Sequence, residues 1–143
     1  METYDIAVLG GGAAGLMAAV ASTEAGHSGL RVLVLEGNAR VGKKLLATGN
    51  GRCNLSNRHV APAHYHGDTG RAAALLKRFP PEKVAGQFAS MGLLCRELEE
   101  GRLYPYSLQA SSVLEILRLH LEHQGVEAKC ESLVTGVHRE KEG

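Results

Sequence analysis

Several features that commonly assign a chain to a class are missing here. Cysteine is sparse: Cys53, Cys95 and Cys130 stand far apart, with no C-x-x-C pair and no even-numbered framework. That excludes a disulfide-built domain and fits a reducing compartment. Neither sign of charge dominates, with 16 lysines and arginines against 15 aspartates and glutamates. On that balance no field selects nucleic acid or an anionic membrane surface. No apolar run approaches the ~18 residues that a membrane span needs. The apolar N-terminus does not read as a secretory leader, because Glu2 and Asp5 stand where a basic segment belongs and Gly10 to Gly12 interrupt the run. Repeats and low-complexity tracts are absent. The expectation is a soluble, cytoplasmic chain, and at 143 residues its length predicts one domain.

What is present begins at once. An apolar strand, Tyr4 to Leu9, runs into Gly10-Gly11-Gly12-Ala13-Ala14-Gly15 and then into a small-residue helix, Leu16 to Ala25. A second strand, Leu30 to Leu35, closes on Glu36. Strand, glycine turn, helix, strand and terminal acid in this order form the dinucleotide-binding fingerprint in its proper context. Gly10 allows the tight turn, Gly12 lets a pyrophosphate approach the backbone, and Gly15 lets the helix pack closely. The helix N-terminus offers unpaired N–H groups to phosphates. Glu36 can accept hydrogen bonds from a ribose diol, and its charge disfavours a 2′-phosphate. A glycine turn that only connects two elements is the competing reading.

The stretch from Gly37 to Asp68 is irregular and longer than an ordinary βα connection. Helices over Arg71 to Phe79 and Glu82 to Met91 follow, separated by Pro80-Pro81. Leu94 to Leu98 and Leu103 to Tyr106 predict a hairpin turning at Glu99 to Arg102. Ser112 and Glu115 form a capping box that opens an amphipathic helix carrying Val113, Leu114, Leu117 and Leu121, and Gly125 stops it. Val126 to Cys130 and Leu133 to His138 then read as two more strands.

Within the irregular stretch, Gly42 to Asn57 holds three cations and several glycines where the chain leaves the second strand. Ligands bind at that edge of open α/β sheets. Lys43, Lys44 and Arg52 can offset pyrophosphate charge. Gly49 and Gly51 let backbone N–H groups face a planar ligand, and Asn50 and Asn54 offer donors and acceptors. A solvated basic loop is the alternative.

Taken together, Gly10 to Gly15, Glu36, Gly42-Lys-Lys-Leu-Leu46, Thr48-Gly-Asn-Gly-Arg-Cys-Asn54 and Gly101-Arg-Leu-Tyr-Pro-Tyr-Ser107 resemble the BaiN-like, aminoacetone-oxidase-like family of FAD-dependent oxidoreductases, across essentially the whole chain. The resemblance implies an α/β, three-layer Rossmann-like FAD/NAD(P)-binding fold of the glutathione-reductase type, interrupted in such proteins by an inserted substrate domain. It implies backbone contacts to the pyrophosphate from Ala13 and Ala14, with Gly10, Gly12 and Gly15 counted beside them among the cofactor-binding residues. Glu36, with Gly37 beside it, would hold the adenosine ribose. Lys43, Lys44, Thr48, Gly49, Asn50, Gly51, Arg52, Cys53 and Asn54 would wrap the diphosphate and flavin, and Val134 would offer backbone groups to the adenine. NAD(P)H is implied as electron donor, or oxidase chemistry in its place, on a small or steroid-like substrate. Family members are considerably longer, so the expectation is an incomplete fold: residues 1–143 as the N-terminal part of the FAD domain, without substrate domain or returning segment, and prone to self-association.

The other reactive residues favour plain roles. Cys53 reads as packing, with a flavin-adjacent thiol as the alternative; the position where a C-x4-C partner would fall is Arg58, which disfavours a dithiol. His64 and His66 lack a third ligand, so no metal is expected. His120 and His123 belong to the polar side of their helix. Tyr104 and Tyr106 flank Pro105, either in a core or over the cofactor loop. No acid or base can be named. The readings carried forward are the FAD-binding portion of a flavin oxidoreductase and a non-catalytic nucleotide-binding fragment. A domain binding NAD alone is disfavoured, because it leaves Gly42 to Asn57 without a role.

Overall fold

The computed structural model describes residues 2–24, 29–67 and 69–140. In chain order its elements are β1 (Ile6–Leu9), α1 (Ala13–Glu24), β2 (Val32–Leu35), α2 (Lys43–Ala47), β3 (Ser56–Asn57), α3 (Thr69–Arg78), α4 (Pro81–Ser90), β4 (Cys95–Glu97), β5 (Arg102–Pro105), α5 (Ala110–His123) and β6 (Glu127–Lys129). Single 3-10 turns occupy Thr48–Gly51, Pro62–His64 and Glu99–Gly101. The chain divides into two compact units, Met1–Leu45 with Leu117–Gly143, and Leu46–Ile116, where length alone predicted one.

The first unit carries a parallel sheet in the order β1-β2-β6. Ile6 registers with Val32 and Leu9 with Leu35, and Leu33 registers with Glu127. The run Val32-Leu33-Val34 is apolar without alternation because β2 is central; each of the three is buried, as expected for a parallel strand covered on both faces. α1 lies against β1 and β2 and buries Leu16, Ala19 and Val20, a spacing that keeps one helical face inward. The C-terminal part of α5 adds Leu117 and Leu121 to this core. Gly125, at φ +72°, ends that helix by donating its N–H to the Glu122 carbonyl, the left-handed stop that glycine supplies.

The second unit is a small antiparallel sheet in the order β3-β5-β4, with α4 against β3 and β4 and α3 against the Pro62–His64 turn. The predicted hairpin is β4 and β5, with Arg96 opposite Tyr104. β3 adds on the other side, Ser56 opposite Leu103. Leu103, Tyr104 and Pro105 are buried, together with Phe88 of α4 and Val113 of α5.

Some expectations need correction. Gly37 to Asp68 is not simply irregular, since it contains α2, β3 and two 3-10 turns; each is two to five residues long, too short for periodicity to reveal. The expected end of α1 at Ala25 and the end of that stretch at Asp68 lie outside the described residues. α5 starts at Ala110, not at a Ser112 cap. Ser112 sits inside the first turn, where its hydroxyl pairs with that of Ser107 at 2.8 Å. Leu133 to His138 is not a strand. Leu133 and Val137 are each 78% exposed, and no strand among the described residues pairs with them. The ladder beyond β6 ends with Ser132 donating its N–H to the Glu36 carbonyl and Glu131 donating to Asn38.

No helix among the described residues is long and apolar enough to cross a membrane. Nor do those residues contain a group of three or more His, Cys, Asp or Glu placed to hold a metal ion.

Candidate dinucleotide site

Three of the four glycines of the N-terminal turn have a reason within the protein to lack a side chain. Gly10 takes φ +101°, which ends β1 and turns the chain. A Cβ on Gly15 would lie 1.9 Å from the Gly10 carbonyl oxygen. Its hydrogen therefore sets how closely α1 approaches the turn, as the sequence predicted. Gly11 was not singled out, yet a Cβ there would lie 2.5 Å from Val41 Cγ1. Its partner is 30 positions on, so no local signal could have found it. Gly12 differs from all of these. Its φ is not positive and nothing in the protein lies within 4 Å of a Cβ built on it. The space over Gly12 is open, and Ala13 and Ala14 beside it are exposed at the start of α1. The first helical bond runs from the Leu16 N–H to the Gly12 carbonyl at 2.9 Å. The N–H groups ahead of it therefore have no carbonyl within the helix, and they meet the positive end of the helix dipole.

Glu36 closes this turn from the other strand. Its Oε2 accepts the Gly11 N–H at 2.8 Å, and its Oε1 accepts the Asn38 N–H at 2.8 Å and the Asn38 side-chain amide at 2.5 Å. The Asn38 backbone, then the Asn38 side chain, then the Gly11 backbone hold the carboxyl below its ordinary range. The Gly37 backbone N–H adds a further, smaller lowering contribution, so a ribose hydroxyl would share a carboxylate oxygen with these donors. Gly42 locks the arrangement by donating its N–H to the Gly11 carbonyl at 2.7 Å. A Cβ built on Gly37 would lie 3.4 Å from Leu133, so Gly37 faces the segment that leads to Val134. Val134 is part-exposed. Lys43 and Lys44 open α2 and are exposed. The first unit thus brings together Gly10 to Gly15, Glu36 and Gly37.

Thr48 to Asn54 belongs to the second unit. Gly49, Asn50, Gly51 and Cys53 all adopt positive φ, so the loop is wound in the left-handed region that glycine and asparagine tolerate best. A Cβ on Gly49 would lie 2.9 Å from the Asn54 nitrogen and 3.3 Å from Tyr104. The glycine therefore serves a close approach within the loop itself. Arg52 lies over the Tyr104 ring at 4.9 Å and its Nε donates to the Gly49 carbonyl at 3.3 Å. Its cation is engaged by Tyr104 of β5, a partner that lies far along the sequence. Tyr104 is buried, as the core reading of that residue expected, and Tyr106 is 64% exposed. Cys53 is buried; burial pushes its thiol up, opposed by a hydrogen bond with the Thr48 side chain. These are the properties of a packed thiol.

A parallel βαβ unit, a glycine turn open over Gly12 and an acid at the end of the second strand define a Rossmann-type dinucleotide-binding domain. Residues 4–143 match the HI0933-like protein Rossmann domain, and the chain belongs to that family, whose Rossmann domain binds FAD. The resemblance read from the motifs is therefore borne out. The chain is 43% identical over 122 residues to the 3-dehydro-bile acid delta(4,6)-reductase of Clostridium scindens, covering 85% of this chain and 29% of that protein. It is 29% identical over 144 residues to the ribosomal RNA dihydrouridine synthase of Escherichia coli, covering 100% of this chain and 35% of that one. Over 133 residues it is 30% identical to the synthase of the same name from Haemophilus influenzae, 92% of this chain and 32% of that protein. The chain thus spans about a third of the length of these relatives. Among solved structures, the THI4 protein of Thermovibrio ammonificans superposes with a TM-score of 0.58 at 17% identity, over 89% of this chain and 38% of that one. The p-nitrophenol 4-monooxygenase of Pseudomonas putida gives 0.50 at 22%, over 98% and 35%. These two show the shared α/β fold.

Proposed function

We propose that this chain is the N-terminal, FAD-binding part of a longer flavin-dependent reductase, in which a substrate domain and a returning segment complete the FAD domain. The observation that carries the reading is Gly12. No protein atom forbids a side chain there, its φ does not demand glycine, and it stands beside the exposed start of α1. A pyrophosphate is the group that would fill such a place. When bound, FAD would supply the two-electron redox step. This chain's residues bind and orient it. Gly10, Gly12, Ala13, Ala14 and Gly15 give backbone contacts to the diphosphate, with Lys43 and Lys44 offsetting its charge. Glu36 and Gly37 hold the ribose, and Val134 offers backbone groups to the adenine. Thr48, Gly49, Asn50, Gly51, Arg52, Cys53 and Asn54 form the flavin end, with Arg52 shaping the loop through Tyr104.

The reaction class is hydrogenation of a carbon–carbon double bond, with NAD(P)H as electron donor. It is supported by the relatives' names, a delta(4,6)-reductase and two dihydrouridine synthases, each describing a product with added hydrogen. The higher identity to the bile acid enzyme favours a small organic substrate. Balanced charge does not exclude a nucleic-acid substrate, because two relatives are named for ribosomal RNA. Unpaired Cys53, Cys95 and Cys130 support a reducing, cytoplasmic setting.

The test is anaerobic titration of the purified full-length protein with NADPH. Flavin absorbance that bleaches on addition supports the reading. A colourless protein that binds ADP and shows no turnover supports a nucleotide-binding fragment instead.

A further inference from the structure

Two strand exits are laced together beside Glu36. β2 leaves through Glu36, Gly37 and Asn38, and β6 leaves through Cys130, Glu131 and Ser132. Three backbone bonds join them. Glu36 donates its N–H to the Lys129 carbonyl, Ser132 donates to the Glu36 carbonyl and Glu131 donates to the Asn38 carbonyl, each at 2.9 Å. Glu131 takes φ +54° at this crossing, an uncommon conformation for a residue with a side chain. Asn38 faces both ways. Its carbonyl meets the β6 exit, while its backbone N–H at 2.8 Å and its side-chain amide at 2.5 Å both donate to Glu36 Oε1. Glu36 Oε2 is held from the other side by the Gly11 N–H at 2.8 Å. Asn38 is exposed, so core packing does not explain an asparagine there. Its amide completes a cradle that fixes the carboxylate from both ends, and an alanine would leave Oε1 with one donor fewer. The two Asn38 donors are also the largest causes that hold the Glu36 carboxyl below its ordinary range.

We propose that Asn38 is a positioning residue for adenosine recognition: it presents the Glu36 carboxylate to the ribose 2′-hydroxyl and ties that acceptor to the segment leading to Val134. This rests on the reading of Glu36 as the ribose acceptor. Asn38 acts through Glu36 and does not itself touch the nucleotide. Its amide gives binding its selectivity for a ribose over a 2′-deoxyribose, because an acceptor that is already oriented loses less freedom when the hydroxyl arrives.

The probes are ADP and 2′-deoxy-ADP, titrated calorimetrically into the wild-type chain, Asn38→Ala, Glu36→Ala and the double variant. Wild type should prefer ADP about 10-fold, as a hydrogen bond to a charged acceptor provides. Asn38→Ala should weaken ADP about 3- to 5-fold and leave 2′-deoxy-ADP unchanged. Adding Asn38→Ala to Glu36→Ala should cost nothing further. Asn38→Asp keeps the shape but replaces the donor by a carboxylate. It should raise the pH at which Glu36 titrates, read from the Glu36 carboxyl carbon in NMR spectra. Every variant keeps the Asn38 carbonyl, so amide exchange at Glu131 should match wild type. An unchanged preference for ADP in Asn38→Ala overturns the proposal and leaves the FAD reading intact. Equal weakening of both nucleotides, as a purely structural role gives, overturns it as well. So does a further loss in the double variant, which would place Asn38 on the ligand itself, or a Glu36 titration unmoved in Asn38→Asp. Wild-type binding of ADP without preference removes Glu36 as the ribose acceptor and overturns the proposal with it. Absence of ADP binding overturns the dinucleotide reading on which the proposal rests.

Discussion

The carboxylate of Glu36 reaches back over 25 positions to accept the Gly11 N–H at 2.8 Å. One end of β2 thereby fixes the loop that follows β1, before any ligand arrives. The same carboxylate is the predicted ribose acceptor, so structure and binding are coupled through it. Glu36→Ala should weaken ADP or FAD about 10-fold and loosen the glycine turn, seen as faster amide exchange at Gly11. Unchanged affinity would remove Glu36 from the site.

The same bonds give an acid dependence. Glu36 is held below the ordinary carboxylate value of 4.5, so its contribution to stability is fully present above that pH. It is lost as the pH falls through the lowered folded-state value. Glu36→Gln should therefore show a shallower loss of stability on acidification below pH 4.5 than wild type. Identical acid limbs in both proteins would contradict the assignment.

Gly15 and Gly12 should respond oppositely to alanine. Gly15→Ala forces a carbon to 1.9 Å from the Gly10 carbonyl oxygen, and the helix must move; a loss of roughly 1–3 kcal/mol or more is expected. Gly12→Ala meets nothing within 4 Å and should change stability by no more than about 0.5 kcal/mol. Thermal or denaturant unfolding of the two variants checks this, and equal destabilisation would contradict it.

Cys53 should behave as a packed thiol. Burial raises it above the ordinary value of 9.0, so it is protonated throughout the neutral range and a poor nucleophile. Iodoacetamide at neutral pH should label Cys53 far more slowly in the folded chain than in urea. Equal rates would restore the reactive reading.

The sequence revealed most where the physics is local. The β1–turn–α1–β2 run could be read directly, because an apolar strand, a glycine turn, a small-residue helix and a second apolar strand follow one another without interruption. The β4–β5 hairpin and the Gly125 stop were equally plain. Gly11 was not, because its meaning comes from Val41 and Glu36. Arg52 was counted as a free cation because nothing nearby in sequence announces Tyr104. Ser112 and Glu115 have the form of a capping box, yet the chain enters α5 earlier, at Ala110, past a Leu108 held at φ +56°. Leu133 to His138 has the apolar content of a strand, but a strand exists only with a partner, and the described residues supply none.

The most direct test of the account is isothermal titration of ADP into the wild-type chain and into Gly12→Val. The account predicts saturable binding to wild type and none to the variant, with the parallel sheet intact by circular dichroism, because the valine occupies the space kept for pyrophosphate and displaces no protein atom. Binding to Gly12→Val at wild-type affinity would contradict it and leave Gly10 to Gly15 as a structural turn.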